Sequence, residues 1–263
     1  MFMKASKKNY WLYINSVVLL IVLLLFSLFP LFSTIWQTGQ SSSNNGIAQD
    51  QELLESQASG YEMILQREPD NQTALEGLLD IRFKQGDLVG VIPPLERLSQ
   101  LNPLYTTLLA QTKQQIGDTG GAITIYRNIL AKEPSNINAL KGLTDLLLLK
   151  GSSAESIDLV QNTLKMASLP GGQNINVTSV QLLLAEIYLQ QKQKTQALKI
   201  YEEAMKSNPE DFRPVLAKAI LLKGEGEEKK SKELFQQSIK LAPELYKSSI
   251  MDMENTSDVK IGQ

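Results

Sequence analysis

The sequence predicts an all-α solenoid made of helix–turn–helix pairs that repeat about every 34 residues. Pro69 and Pro103 are 34 residues apart, as are Pro209 and Pro243, and a similar pattern of apolar residues lies between the members of each couple. A fixed period of this length with two helical segments per unit is typical of a solenoid. One helix pair is too small to bury its own apolar stripe, so each pair needs neighbours stacked against it.

The stretch Gln181–Asp211 shows the unit most clearly. Its first half predicts a helix, because apolar residues recur three and four positions apart, and a polar turn follows. A second amphipathic helix is predicted from Thr195 to Lys206. Pro209 ends it, because proline lacks the amide donor and restricts the residue before it.

Three positions recur in all five units. A glycine or its substitute marks the turn between the two helices: Gly86, Gly117, Gly151, Lys192 and Gly226. A small or apolar residue follows: Val91, Ala122, Ser156, Ala197 and Ser231. A larger apolar residue comes four positions later: Leu95, Tyr126, Val160, Tyr201 and Phe235.

With these motifs the chain resembles the tetratricopeptide repeat (TPR) family. Five copies lie within residues 70–243. The match is closest in Gln181–Asp211 and weakest in Asn136–Ser168, which lacks a closing proline in register. The tryptophan that the family often has early in the first helix is absent from every copy. The resemblance implies an all-α TPR solenoid that binds other proteins.

The segments flanking the repeats read as caps. Residues 50–69 predict one capping helix that aligns with the second helix of a repeat whose first helix is missing. Residues 244–263 predict a short C-terminal cap followed by a tail. An insert over residues 167–178 contains Pro170-Gly171-Gly172, which is a loop signal. It is either a tolerated surface insertion or a loop that contacts a partner.

The amino-terminal segment predicts a membrane anchor. Residues 1–10 carry three lysines and no acid, and residues 11–36 carry no charge. A helix of that length covers roughly 39 Å, enough to cross a hydrocarbon core of ~30 Å. Residues 37–49 predict a flexible linker rich in Gly, Ser and Asn. A cleaved signal peptide is the alternative, although no small-x-small cleavage site follows Phe29.

The charge distribution predicts the orientation of this single-pass protein. The lysines place the amino terminus on the cytoplasmic or stromal side, and the repeats on the opposite side of a bacterial inner membrane or a thylakoid. The lysines before the anchor contribute +3 and the whole chain has a net charge of −2, so the remainder sums to −5. A weakly acidic soluble part does not favour nucleic acid as a partner.

The composition argues against catalysis. The chain has no histidine and no cysteine, which removes the commonest general base and metal ligand, thiolate chemistry and cysteine zinc sites. The sequence shows no phosphate-binding loop with its lysine and hydroxyl in place. We therefore expect no enzymatic activity, no catalytic residue, no metal, no cofactor and no small-molecule substrate.

The resemblance implies a protein-binding groove lined by the first helix of each pair. The positions carried over onto this sequence as the candidate site are Asp80, Phe83, Gln111, Lys141, Asp145, Leu148, Leu182, Glu186 and Leu189. The fifth copy contributes Leu216, Ile220 and Lys223. Three carboxylates in this set disfavour a peptide carboxylate and suit a basic or amphipathic helix. The same acids could instead be ordinary solvated surface.

The functional expectation is a membrane-anchored protein-binding scaffold that assists the assembly or stability of a membrane protein complex, such as a photosynthetic complex. This layout is similar to anchored TPR proteins of bacterial inner membranes and thylakoids. The alternative is a periplasmic chaperone-like TPR factor linked to the secretion machinery. Self-association is also possible.

Overall fold

The computed structural model describes residues 45–256, and every regular element in that range is helical. The α-helices are α1 (Asn45–Arg67), α2 (Gln72–Gln85), α3 (Ile92–Leu101), α4 (Leu104–Gln115), α5 (Thr119–Lys132), α6 (Ile137–Leu149), α7 (Ser153–Ala167), α8 (Val177–Gln190), α9 (Lys194–Ser207), α10 (Phe212–Gly224), α11 (Glu228–Leu241) and α12 (Glu244–Asn255). The predicted all-α solenoid is confirmed for this part of the chain.

Five helix pairs form the body of the solenoid. They are α2 with α3, α4 with α5, α6 with α7, α8 with α9, and α10 with α11. From α2 onward each helix packs on the next in the chain, and the first helices α4, α6 and α8 also contact one another in succession. Because the first helices approach each other across pairs, they form the inner side of the stack. We call the surface of α2, α4, α6, α8 and α10 the inner face.

The turn between the two helices of a pair requires a left-handed residue at the predicted position. Gly86, Gly117, Gly151 and Gly226 have φ between 72° and 84° there, and Lys192 has φ 59°. Glycine adopts this conformation without a steric penalty, whereas a residue with a Cβ does not. The prediction that Lys192 substitutes for glycine is therefore confirmed.

The other two recurring positions form the core of every pair. The small residues that follow the turn are all less than 2% exposed, and the larger ones four positions later are at most 5% exposed. Burial of this apolar area stabilises each pair and each interface between pairs. The buried clusters follow one another along the chain, as expected for a solenoid in which each repeat contacts only its neighbours.

Side-chain caps define where several first helices begin. The side-chain oxygens of Asn71, Asn136 and Asn176 accept hydrogen bonds from backbone amides three residues later. Asp211 accepts from the amide of Arg213 in the same way at the start of α10. Each cap satisfies an amide that the helix itself leaves without a partner.

The insert between α7 and α8 is pinned to the solenoid. Gly171 has φ 94°, and a 3₁₀ helix covers Gly172–Asn174. A Cβ at Gly172 would lie 2.1 Å from the carbonyl oxygen of Met166, so only glycine fits there. Ile175 is buried in the same cluster as Leu140 and Val160. The predicted insert over 167–178 therefore contains a compact connection between α7 and α8.

The ends of the described chain differ from the predicted boundaries. Helix α1 begins at Asn45 rather than at residue 50, so the helix takes the last five residues of the predicted linker over 37–49. Residues 47–67 contain no proline that would end a helix. The composition of residues 37–49 did not reveal this extension. Helix α12 is the predicted C-terminal cap, and it buries Ile250 against α11.

The predicted basic flank over 1–10, the predicted membrane helix over 11–36 and most of the predicted linker lie outside the described residues. Residues 257–263 also lie outside them. Within residues 45–256, no helix combines the length and the apolar character needed to cross a bilayer.

Candidate functional site

The inner face is the candidate site because the first helices place there the polar and apolar side chains that do not pack in the core. The stripe opposite the inner face is buried against the second helices. All nine predicted site residues lie on α2, α4, α6 or α8.

Three of the predicted residues form one charged cluster at the centre of the inner face. The Nζ of Lys141 on α6 lies 3.1 Å from both carboxylate oxygens of Glu186 on α8. It also lies 3.6 Å from Oδ1 of Asp145, one turn along its own helix. We call Lys141, Asp145 and Glu186 the inner-face cluster. Its net charge is −1, and it ties two successive first helices together across 45 residues of sequence.

Burial and mutual charge shift two groups of this cluster. Desolvation raises the pKa of Asp145, and Glu186 raises it further, although Lys141 opposes both effects. Burial lowers the pKa of Lys141, but Glu186 and Asp145 outweigh burial and hold that pKa above its ordinary value. Lys141 therefore stays protonated at neutral pH.

Two buried tyrosines lie beneath the cluster. Burial raises the pKa of Tyr126 to about 12, with a contribution from Asp145. Burial raises the pKa of Tyr201 to about 12 as well, with a contribution from Glu186. The Tyr126 hydroxyl donates to Oε1 of Gln114 at 3.2 Å. These rings are packing elements with neutral hydroxyls, so they support the cluster without adding charge.

Leucines flank the inner-face cluster. Leu148 is half-buried and packs beside Leu140 and Val160. Leu182 and Leu189 are half-buried on either side of Glu186 and pack against the core around Tyr201. These three side chains offer apolar surface next to charge, which is the combination that an amphipathic helix can bind.

The remaining predicted residues lie nearer the amino-terminal end. Asp80 on α2 is exposed and forms an ion pair of 2.6 Å with Lys84, one turn along the same helix. Phe83 is 37% exposed in the last turn of α2. Gln111 is exposed on α4. They do not join the inner-face cluster, so the nine residues form a central group and an amino-terminal group.

The inner face closes at its carboxyl-terminal end. The Nζ of Lys223 on α10 donates to the backbone oxygens of Met253, Glu254 and Thr256, each at 2.7 Å. Leu216 and Ile220 pack against the cluster that contains Ile250 of α12. The predicted groove positions of the fifth pair are therefore engaged by α12.

Two features of the site were missed by sequence reasoning. Lys84 and Lys141 compensate carboxylates that the sequence presented as a surplus of negative charge. Their spacing of four residues from Asp80 and Asp145 was the available signal, because such residues meet on a helix surface. The repeat spacing did not predict the contact between Lys141 and Glu186.

Comparisons with known proteins agree with the repeat architecture. Residues 178–211 match the tetratricopeptide repeat family. The cellulose synthase operon protein C of Pseudomonas fluorescens (strain SBW25) is 27% identical over 129 residues, which cover 45% of this chain and 10% of that protein. The chain thus spans about a tenth of the length of this curated relative.

A tetratricopeptide repeat protein from Parabacteroides merdae ATCC 43184 is 15% identical with a TM-score of 0.48, over 80% of this chain and 79% of that chain. PilF of Pseudomonas aeruginosa is 20% identical with a TM-score of 0.44, over 70% of this chain and 86% of that chain. By the family match, the chain carries a tetratricopeptide repeat at residues 178–211, and this repeat is set in a solenoid of five helix pairs.

Proposed function

We propose that this chain is a protein-binding scaffold, anchored in a membrane by residues 11–36, that assists the assembly or stability of a membrane protein complex. A photosynthetic complex is one such client. The chain acts by binding and not by catalysis.

The observation that carries this proposal is the central inner face. Leu148, Leu182 and Leu189 present apolar surface around the inner-face cluster, on helices that packing holds in place. A preorganised surface loses little conformational entropy when it binds a partner, so its contacts contribute to affinity.

The chemistry of the surface selects the partner. The inner-face cluster has two carboxylates and one ammonium, and Asp80 is neutralised by Lys84. An amphipathic helix suits it, with an apolar stripe for the leucines and a basic residue beside Glu186 or Asp145. A partner carboxylate at the same place meets two like charges, which gives the site its discrimination.

The proposed anchor holds the inner face close to the membrane. Confinement to a membrane raises the effective concentration of the inner face near membrane-bound clients. The amino terminus lies in the cytoplasm or stroma, and the solenoid lies on the other side. Protease added to the outside of spheroplasts should digest the solenoid, and protection of the solenoid there would reverse this orientation.

The decisive experiment is photo-crosslinking in intact cells with the probe at Leu148 or Leu189. A probe at Ala154, an exposed residue of the second helix α7, is the matched control away from the inner face. One dominant membrane-complex subunit captured only from the inner face supports the assembly scaffold. Capture of many unrelated exported proteins would instead support the periplasmic chaperone-like factor. Equal capture from Ala154 would remove the inner face as the working surface.

A further inference from the structure

Helix α1 leaves a groove open that is filled in every complete pair. The residues of α1 that correspond to the three buried second-helix positions are Gln57, Tyr61 and Ile64, which lie 34 residues before Val91, Leu95 and Leu98. The five residues equivalent to Ile64 are at most 8% exposed: Leu98, Ile129, Thr163, Ala204 and Ser238. Ile64 itself is 42% exposed. The difference arises because no first helix precedes α1 within residues 45–256.

The open positions form a continuous cleft. It has a volume of about 440 Å³ and lies between α1 and α2, lined by Gln57, Gly60, Tyr61, Ile64, Asp80, Ile81 and Lys84. Its floor is apolar, because Tyr61, Ile64 and Ile81 lie there. In complete pairs the equivalent space holds an α-helix, so a helix is the shape that fits it. We call this cleft the end groove.

The end groove is held in shape by contacts between α1 and α2. Arg82 on α2 pairs with Glu55 at 2.9 Å and Glu62 at 2.7 Å, and its side chain is only 16% exposed. Ala58 is fully buried against Leu78 and Ile81, and the Tyr61 ring lies against the backbone at Gly77. The groove is therefore preformed and does not depend on a ligand to assemble.

We propose that the end groove binds a basic amphipathic helix of a partner protein, which supplies the missing first helix in trans. Charge selects this occupant. Between residues 50 and 68, α1 and the turn after it carry five acidic residues and one basic residue. Glu55 and Glu62 pair with Arg82, so the acidic surplus that a partner meets comes from Asp50, Glu52 and Glu68 against Arg67, and Asp80 and Lys84 cancel in the groove. A helix with small or apolar residues on one face and lysine or arginine at its margins complements both the floor and the rim. This site is separate from the inner face of α6 and α8.

A second copy of the chain fits the groove less well. The helix that a neighbouring copy would offer is α12, a first helix that no second helix follows within residues 45–256. It carries three acidic residues and one lysine, so it meets an acidic α1 with like charge. Like charge is what disfavours this contact, because α12 also exposes large apolar side chains such as Leu245 and Met251.

The test uses a capped synthetic peptide with the sequence of residues 212–224 as the probe. This segment is a first helix of the same solenoid, and it carries three basic residues and no acid. Its binding to the full chain is measured by fluorescence anisotropy, together with a version in which the three basic residues are replaced by glutamate. Gly60→Leu fills the groove, since a Cβ at Gly60 meets no atom within 4 Å. Gly120→Leu is the matched control, because Gly120 is equally open on α5.

The expected result is saturable binding of the basic peptide that weakens at least tenfold for Gly60→Leu, for the glutamate peptide and in high salt. Gly120→Leu should leave the affinity unchanged. Circular dichroism should show both variants folded, because leucine is a better helix former than glycine. Equal binding by Gly60→Leu, or absence of binding, would overturn the proposal.

A photo-crosslinker at Ile64 of the full chain tests the other occupants. A crosslink to residues 1–44 of the same molecule would assign the groove to the chain's own amino-terminal segment. A crosslink to α12 of another copy, with concentration-dependent sedimentation, would assign it to self-association. Either result would overturn the proposal that a helix of a partner protein occupies the end groove.

Discussion

Replacing Lys192 by glycine should stabilise the protein. Lys192 is the non-glycine residue that occupies the left-handed turn position between α8 and α9, with φ 59°. Its side chain is exposed and has no ion-pair partner among residues 45–256, so the substitution removes little besides strain. The other four pairs have glycine at this position.

The magnitude follows from the backbone. The left-handed conformation costs an L-residue roughly 1–2 kcal/mol. Glycine relieves that cost but loses more backbone entropy on folding, by about 0.5–1 kcal/mol. The net gain is therefore about 0.7 kcal/mol, which corresponds to a rise in Tm of about 1–3 °C for a chain of this size.

The assay is urea and thermal unfolding of the full chain followed by far-UV circular dichroism. Gly151→Lys is the reciprocal control, since Gly151 has φ 77° and a Cβ there meets no atom within 4 Å. It should lower stability by about the amount that Lys192→Gly raises it. Lys192→Asn should fall between the wild type and Lys192→Gly, because asparagine tolerates this conformation better than lysine. A Lys192→Gly protein with a lower midpoint would refute the strain argument.

Three further substitutions test the packing and the ion pairs. Gly142→Leu should lower the free energy of unfolding by about 1–3 kcal/mol, because a Cβ there lies 2.4 Å from the Tyr126 ring. Calorimetry measures this loss of stability, and an unchanged Tm would contradict the close approach of the ring. Arg82→Ala should speed amide exchange in α1 about tenfold, which corresponds to losing its two carboxylate partners; uniform exchange would contradict a local role. Asp211→Asn keeps the helix cap but loses the charge that binds Arg213, so it should cost about 1 kcal/mol at pH 7.

The pH dependence of that last variant has a definite sign. Hydrogen bonds from Arg213 hold the pKa of Asp211 below its ordinary value, although burial opposes them. A depressed folded-state pKa contributes stability above the unfolded pKa of about 3.9, and that contribution is lost as the pH falls through the folded value. Urea midpoints measured from pH 7 downward should therefore begin to converge for wild type and Asp211→Asn as the pH falls below the unfolded pKa of about 3.9. A constant gap would show that the charge does not matter.

The repeat spacing predicted the parts of the fold that depend on neighbours close in sequence. The left-handed turn residues and the buried positions that follow them lie within one pair, so the period alone located them, including Lys192. The contact between Lys141 and Glu186 depends on how one pair is rotated against the next. Spacing does not encode that rotation, and the balance of charge on the inner face was predicted only in part.

The ends of the solenoid show the same limit. The sequence predicted caps on both sides, but the exposure of Ile64 and the capture of Lys223 by α12 depend on which neighbouring helix is missing from residues 45–256 at each end. A period describes repeats that have neighbours, and it does not describe a surface where a neighbour is missing. The start of α1 at Asn45 was also missed, because the preceding Gly, Ser and Asn residues favour a linker in composition.

The attachment of α1 has a mechanical consequence. Any force that reaches the solenoid through the amino-terminal part of the chain arrives first at α1, which lies against the first helix pair on one side only. Since each repeat contacts only its neighbours, tension should peel the solenoid in chain order from this end. The ion pairs between Arg82 and α1 are then the first contacts to break. The five pairs beyond α1 remain folded until α1 has detached.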